Sequence, residues 1–232
     1  MGTRVICGFG RLARESAVLA KLTDPERIQQ YLDSLTYSVD LFYRSARSIV
    51  RERKANCFDG ALLAAYAFQR LGQPPLLMDM RATRDNDHVI ALYRRNGCWG
   101  AVAVSNVVGL RFREPIFRTG RELALSCFEE FYNIDAEKTL RSYSVPLDLR
   151  LFRFDWTTCD ERLTEVAAKL DRVRHYQLLT QSMIDGLVHV DRRLYRAGML
   201  GANRAGLFRP PPQQKSAAAA PRPALAAHRA RR

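Results

Sequence analysis

Lys54-Ala55-Asn56-Cys57-Phe58-Asp59-Gly60-Ala61-Leu62-Leu63 decides how this chain is read, because a short polar stretch there runs into a helix with a cysteine at the junction. Asn56 suits the N-cap, since its side-chain oxygen can accept from an unpaired N–H of the first turn. Cys57 then takes the first helical position, where the positive end of the helix dipole favours a thiolate over a thiol. A free cysteine titrates at about 8.5, and such a location can lower that by about a unit or more. Cys57, Ala61, Ala64 and Phe68 fall on one helical face, so the helix start is expected to point inward. A buried structural cysteine is the simpler reading of these residues taken alone. Leu71-Gly72-Gln73-Pro74-Pro75 ends the helix near Arg70 by glycine and proline punctuation.

Upstream, Gly8-Phe9-Gly10-Arg11-Leu12-Ala13 matches the dinucleotide fingerprint GxGxxA after a possible strand at Arg4–Cys7. The fingerprint needs a second strand about 20 residues on, ending in an acid. Thr23-Asp24-Pro25-Glu26 opens a helix there instead, with Ile28, Tyr31, Leu32 and Leu35 at helical spacing, so the dinucleotide reading is set aside. A short helix is expected around Ala46–Arg51.

Downstream, Leu76–Arg81 reads as a buried strand, followed by a hairpin of Asp87–Arg95 and Cys98–Asn106 joined by the turn Asn96-Gly97. A tight turn pairs Arg95 with Cys98, which puts His88 opposite Ser105 and Ile90 opposite Ala103. A histidine that begins a strand on an otherwise apolar face needs a polar partner. Gly109–Phe117 is expected to be extended, with Pro115 marking an edge or bend. Thr119-Gly120-Arg121-Glu122 has the form of a capping box for a helix reaching about Tyr132. Cys159 to about Arg196 reads as two helices or one kinked helix.

A cysteine opening a helix and a histidine beginning a strand some thirty residues later form a possible nucleophile–base pair. Asn56-Cys57-Phe58-Asp59-Gly60-Ala61-Leu62, Asp87-His88-Val89 and Trp99-Gly100-Ala101-Val102-Ala103-Val104-Ser105-Asn106 together resemble the transglutaminase-like superfamily, in a bacterial branch. Gly109-Leu110-Arg111-Phe112-Arg113-Glu114-Pro115 fits the same branch, and the resemblance spans Leu22 to about Ser144. It implies a papain-like fold with Cys, His and Asp in that chain order. Carried over, Cys57 is the nucleophile and His88 its base and later acid. The position where the family usually has aspartate falls on or near Ala103, which cannot orient an imidazole. Asn106 and Ser105 are the candidates for the third role. An amide accepts firmly from a ring N–H, as in a Cys-His-Asn set, whereas strand register favours Ser105. The implied chemistry is attack of Cys57 on an amide carbonyl of a protein or peptide substrate, giving a thioester resolved by water or an amine. The backbone N–H of Cys57 is a natural oxyanion donor. The missing aspartate leaves open a catalytically inactive binding or scaffold module. No cofactor is implied, and no calcium-loop pattern occurs, so no metal is expected.

The expected fold class is α+β, a papain/transglutaminase-like core whose mainly antiparallel sheet packs on the cysteine-bearing helix, plus C-terminal helices. The expected division is a transglutaminase-like domain at 1–145, a C-terminal helical segment at 146–208 and a disordered Pro/Ala/Arg tail at 209–232. From Arg209 onward there are six basic residues and no acid, so the net charge of +13 leaves 13 − 6 = +7 on residues 1–208. No RNA-binding aromatic motif or zinc finger accompanies that charge, which reads as a solvated arginine-rich surface, making nucleic acid an unlikely partner. The five cysteines are dispersed with no CxxC pair, which suits a reducing compartment better than a disulfide framework. With no apolar run of membrane-spanning length and no secretory h-region, the expectation is a cytoplasmic protein with no membrane partner.

Overall fold

A computed structural model describes residues 13–209. The strand expected at Arg4–Cys7, the GxGxxA stretch up to Leu12 and the tail beyond Arg209 lie outside them.

The chain begins with α1 (Ala13–Leu19) and α2 (Pro25–Asp33), the latter capped by Asp24, whose side chain accepts from the Arg27 N–H. Strand β1 (Thr36–Tyr37), helix α3 (Ala46–Glu52), strand β2 (Lys54–Ala55) and helix α4 (Cys57–Arg70) follow. β1 and β2 form a small parallel pair that leads into α4. The Asn56 cap is present as expected and is reciprocal: Asn56 accepts from the Asp59 N–H at 2.9 Å, and Asp59 accepts from the Asn56 N–H at 3.3 Å.

The main sheet is built from β3 (Leu76–Ala82), β4 (His88–Arg95), β5 (Cys98–Val102), β6 (Arg113–Phe117), β7 (Leu140–Ser144), β8 (Leu147–Asp148) and β9 (His175–Gln177). Its order is β6-β5-β4-β3-β7-β9, with β8 also on β3, and every pairing is antiparallel. Helix α5 (Gly120–Leu125) follows β6, α6 (Leu163–Arg172) precedes β9, and α7 (Gln181–Asp185) and α8 (Arg192–Gly198) are the last α-helices among the described residues. The architecture is therefore α+β with a mostly antiparallel sheet. Among the described residues no helix is long and apolar enough to cross a membrane.

Period-two alternation in the central strands divides the core into two. Leu77, Val89, Ala91, Tyr93 and Val102 face α4 in one cluster, while Met78, Met80, Ile90, Leu92 and Ala101 face Leu123, Phe131 and Leu140 in the other. Helix α4 is buried on all sides from Phe58 to Phe68, not on one face, because α2, α3 and α6 cover what the sheet does not. Gly60 permits that closeness: a Cβ there would come within 2.4 Å of Val104 Cγ2.

Arginine also reaches the interior. Arg44, 2 % exposed, forms ion pairs with Asp40, with Glu52 at 2.7 Å and with the fully buried Asp59 at 3.7 Å. Its own N–H donates to Asp59 at 2.8 Å, so this network grips the first turn of α4. A wholly solvated arginine surface is thus corrected at Arg44.

Three expectations change. The hairpin register holds from Arg95–Cys98 to Ala91–Val102 and then stops, so His88 and Ser105 are not ladder partners. The strand end is diverted by Gln29, whose amide donates to the Ala103 carbonyl at 2.9 Å and accepts from the Ala103 N–H at 3.1 Å. Thr119 caps a helix that ends at Leu125, its Oγ1 accepting from the Glu122 N–H, but the expected capping box is not closed because the Glu122 carboxylate accepts from the Arg118 N–H. A 3-10 turn at Phe128–Glu130 stands in place of the helix expected to reach Tyr132. Residues 146–208 are not a purely helical segment, since β8 and β9 join the main sheet across the expected boundary. Those strands are only two and three residues long, too short to leave an alternating pattern. Pro115 does lie on an edge strand, β6, as expected.

Candidate functional site

Cys57, at the first position of α4, stands over the start of β4. Its thiol points at the Asp87 carbonyl, 3.9 Å away, and the backbone amides of Val89 and Phe58 favour the ionised sulfur. The Cys57 side chain is half-buried and lines two adjoining cavities, one of about 660 Å³ and one of about 60 Å³. The smaller holds His88, Ser105 and Asn106 in its wall together with Cys57. Tertiary structure thus brings all four sequence-selected residues to one place, although no hydrogen bond joins Cys57 to His88 among the described contacts.

Local geometry explains the separation. His88 alternates with Val89, so its ring leaves the sheet on the face opposite α4 and packs edge-on against Phe131 with ring centres 6.2 Å apart. His88 Nε2 lies 2.8 Å from the Leu110 carbonyl oxygen. A carbonyl can only accept, so Nε2 carries the ring proton and, in the neutral imidazole, Nδ1 is the bare acceptor. Burial pulls the His88 pKa down to about 4, with the Leu110 hydrogen bond opposing and the Arg113 charge adding to it. The ring is therefore neutral near pH 7.

The expected low-pKa thiolate is corrected. Burial pushes the Cys57 thiol up to about 11, with the charges of Asp59 and Asp79 adding and the Val89 and Phe58 amides opposing. Desolvation outweighs whatever the start of one helix supplies, because a thiolate here would lie among carboxylates and apolar side chains.

Asn106 and Ser105 do not orient His88. The Asn106 side chain donates to the Asn203 carbonyl at 2.8 Å and accepts from the Asn203 N–H at 2.7 Å. Ser105 Oγ accepts from the Val107 N–H at 3.0 Å, a local turn contact. The orienting group is instead the Leu110 carbonyl, contributed by a 3-10 turn at Val108–Leu110. No sequence signal marks a backbone carbonyl for that role.

A second pair went unread in the sequence. Asp79 on β3 shares the α4 side of the sheet and lines the larger cavity with Cys57. His175 on β9 places Nε2 at 2.9 Å from Asp79 Oδ2 and Nδ1 at 2.8 Å from the Val173 carbonyl. The Val173 carbonyl can only accept, so Nδ1 carries a proton, and Nε2 is engaged by the Asp79 carboxyl. Burial raises the Asp79 carboxyl, with His175 and Arg81 opposing. The pair is formed across a separation of 96 residues, which no local pattern reveals.

The cysteines also depart from expectation. Cys57 and Cys98 are half-buried and free and Cys127 is buried and free, but Cys159 is disulfide-bonded. Sequence spacing carries no information on which distant thiols meet. No protein-family model matches the chain, and a search among curated proteins finds no match.

Proposed function

We propose that the chain is a transglutaminase-like thiol enzyme with a papain-like core, acting on an amide or peptide bond through a Cys57 thioester. The observation that carries this reading is the shared cavity: Cys57 at the start of α4 and His88 at the start of β4 line the same small space. His88 there has its Nε2–H held by Leu110 and its Nδ1 bare. In this reading both groups are neutral at rest. His88 Nδ1 takes the thiol proton as Sγ attacks the carbonyl carbon, and the new C–S bond leaves a tetrahedral oxyanion. The Cys57 backbone N–H, free of an intrahelical acceptor at the first turn, is one donor to that oxygen. The C–N bond then breaks, His88 returns the proton to the leaving amine, and water or a second amine resolves the thioester. The small cavity has room for ordered water to bridge sulfur and imidazole.

A second reading, a catalytically inactive binding or scaffold module, draws on specific observations. Ala103 stands where the family usually has a carboxylate, and Gln29 clamps the Ala103 backbone. The Leu110 carbonyl carries no charge to stabilise an imidazolium. One experiment separates the two. The protein is incubated with a panel of amide and thioester probes and the Cys57 adduct is sought by intact-mass spectrometry. Turnover abolished by Cys57→Ser and depressed by His88→Ala supports the enzyme. Absence of both adduct and turnover across the panel overturns it in favour of the module.

A further inference from the structure

Gly206-Leu207-Phe208 forms part of the wall of both cavities that meet at Cys57, and Arg209 continues along the larger one. The segment is anchored. Asn203 exchanges two hydrogen bonds with Asn106, at 2.8 and 2.7 Å, and its side-chain amide donates to the Tyr37 carbonyl at 3.4 Å. Gly206 then passes flat against the Tyr37 ring, where a Cβ would come within 2.7 Å of Cε1 and 3.1 Å of Asn106 Nδ2. Leu207 and Phe208 are half-buried by this seating.

The charges match. Asp40, Asp79, Asp87 and Asp171 line the larger cavity and Asp85 the smaller, in a chain whose net charge is +13. Asp40 is paired with Arg44 and Asp79 with His175, but neither Asp87 nor Asp171 has a basic side chain at ion-pair distance among the described residues. The basic residue in the lining of either cavity is Arg209, which belongs to the segment itself.

We propose that the Cys57 cleft is an interaction surface for an extended cationic peptide, and that Asn203–Arg209 is the chain's own occupant of it, shielding Cys57 until displaced. This rests on the reading of the Cys57 cleft as a peptide site and names the chemistry of what enters it. The asparagine pair supplies the backbone grip, the apolar Leu207 and Phe208 supply burial, and the acidic lining selects against anionic sequences.

The test uses the full chain and reads iodoacetamide labelling of each cysteine by peptide mass spectrometry, with no turnover involved. Gly206→Val presses the segment off Tyr37, and Asn203→Ala removes its side-chain contacts. In both variants Cys57 is expected to label about tenfold faster than in the parent, while buried Cys127 stays slow and reports an intact fold. Adding the heptapeptide of residues 203–209 to Gly206→Val should slow Cys57 again. The same peptide with both arginines replaced by glutamate should not. Unchanged Cys57 labelling in both variants, or equal protection by the acidic peptide, would overturn the proposal. Because the readout is accessibility, such a failure stands apart from loss of probe turnover, which bears on the enzyme reading alone.

Discussion

Acidification should unfold this protein partly through one imidazole. His88 is 5 % exposed, and burial holds its folded pKa at about 4 against an ordinary 6.5. A histidine with a depressed folded pKa contributes stability that is complete above its unfolded value and is lost as pH falls through the folded one. The window is therefore pH 6.5 to 4. Each pH unit between the two values costs about 1.4 kcal/mol, so the whole span is worth about 3 kcal/mol. Asp79, Asp85 and Asp87 have carboxyls raised by burial and pull the opposite way, gaining stability as they protonate. They are present in any His88 variant and cancel in a comparison. Urea unfolding of wild type and His88→Leu at pH 7, 5.5 and 4 isolates the histidine. The leucine variant starts lower, by about 1–3 kcal/mol, because the Leu110 carbonyl loses its donor. Between pH 7 and 4 it should then regain about 3 kcal/mol relative to wild type. Parallel pH profiles for the two proteins would refute the assignment of a buried neutral imidazole, and with it the bare Nδ1 on which the proton transfer depends.

Other outcomes follow from the same geometry. Because burial pushes the Cys57 thiol up to about 11, its alkylation rate should still be rising with pH beyond the ordinary thiol range, which stopped-flow or mass-spectrometric labelling over pH 7–11 would read. A plateau near neutral pH would show a thiolate that this environment does not allow. Gly60→Ala, normally favourable in a helix, should instead destabilise by about 1–3 kcal/mol because its Cβ meets Val104 at 2.4 Å, and thermal unfolding monitors this. Arg44→Met leaves the buried Asp59 without its counter-ion and should cost about 3–5 kcal/mol at pH 7 in urea unfolding. That loss should shrink as pH falls, since burial already raises the Asp59 carboxyl to about 6 and protonation removes the orphaned charge.

Much of the frame was legible in the linear order of residues. Asn56 before Cys57, Asp24 before Pro25 and Asn96-Gly97 between two apolar runs each specify a local event within a few residues of themselves, and each is found. The helix carrying Cys57 and the strand opened by His88 are local in the same sense. Both open at the same end of the sheet, and there they line a common cavity although the His88 ring leaves the face opposite α4. What fails to read from the sequence depends on groups without a side-chain signature or with partners far along the chain. The Leu110 carbonyl that holds His88 is a backbone atom. The third-member candidates Ser105 and Asn106 look equivalent until β5 leaves its ladder and Asn203 claims the amide.

The sequence by itself determined where α2, α4 and the β4–β5 hairpin begin and which residues carry reactive groups, because those follow from near-neighbour sterics, capping and turn chemistry. Only the tertiary structure decided the state of those groups. Helix position argues for a Cys57 thiolate, but desolvation and nearby carboxylates argue for a thiol, and both depend on what packs around the sulfur. His88 is neutral for the same reason. The occupant of the cleft is likewise fixed by a segment nearly a hundred residues beyond Asn106, whose return to the site no local pattern encodes. Ionisation and access are properties of surroundings, and surroundings exist only once the chain has folded.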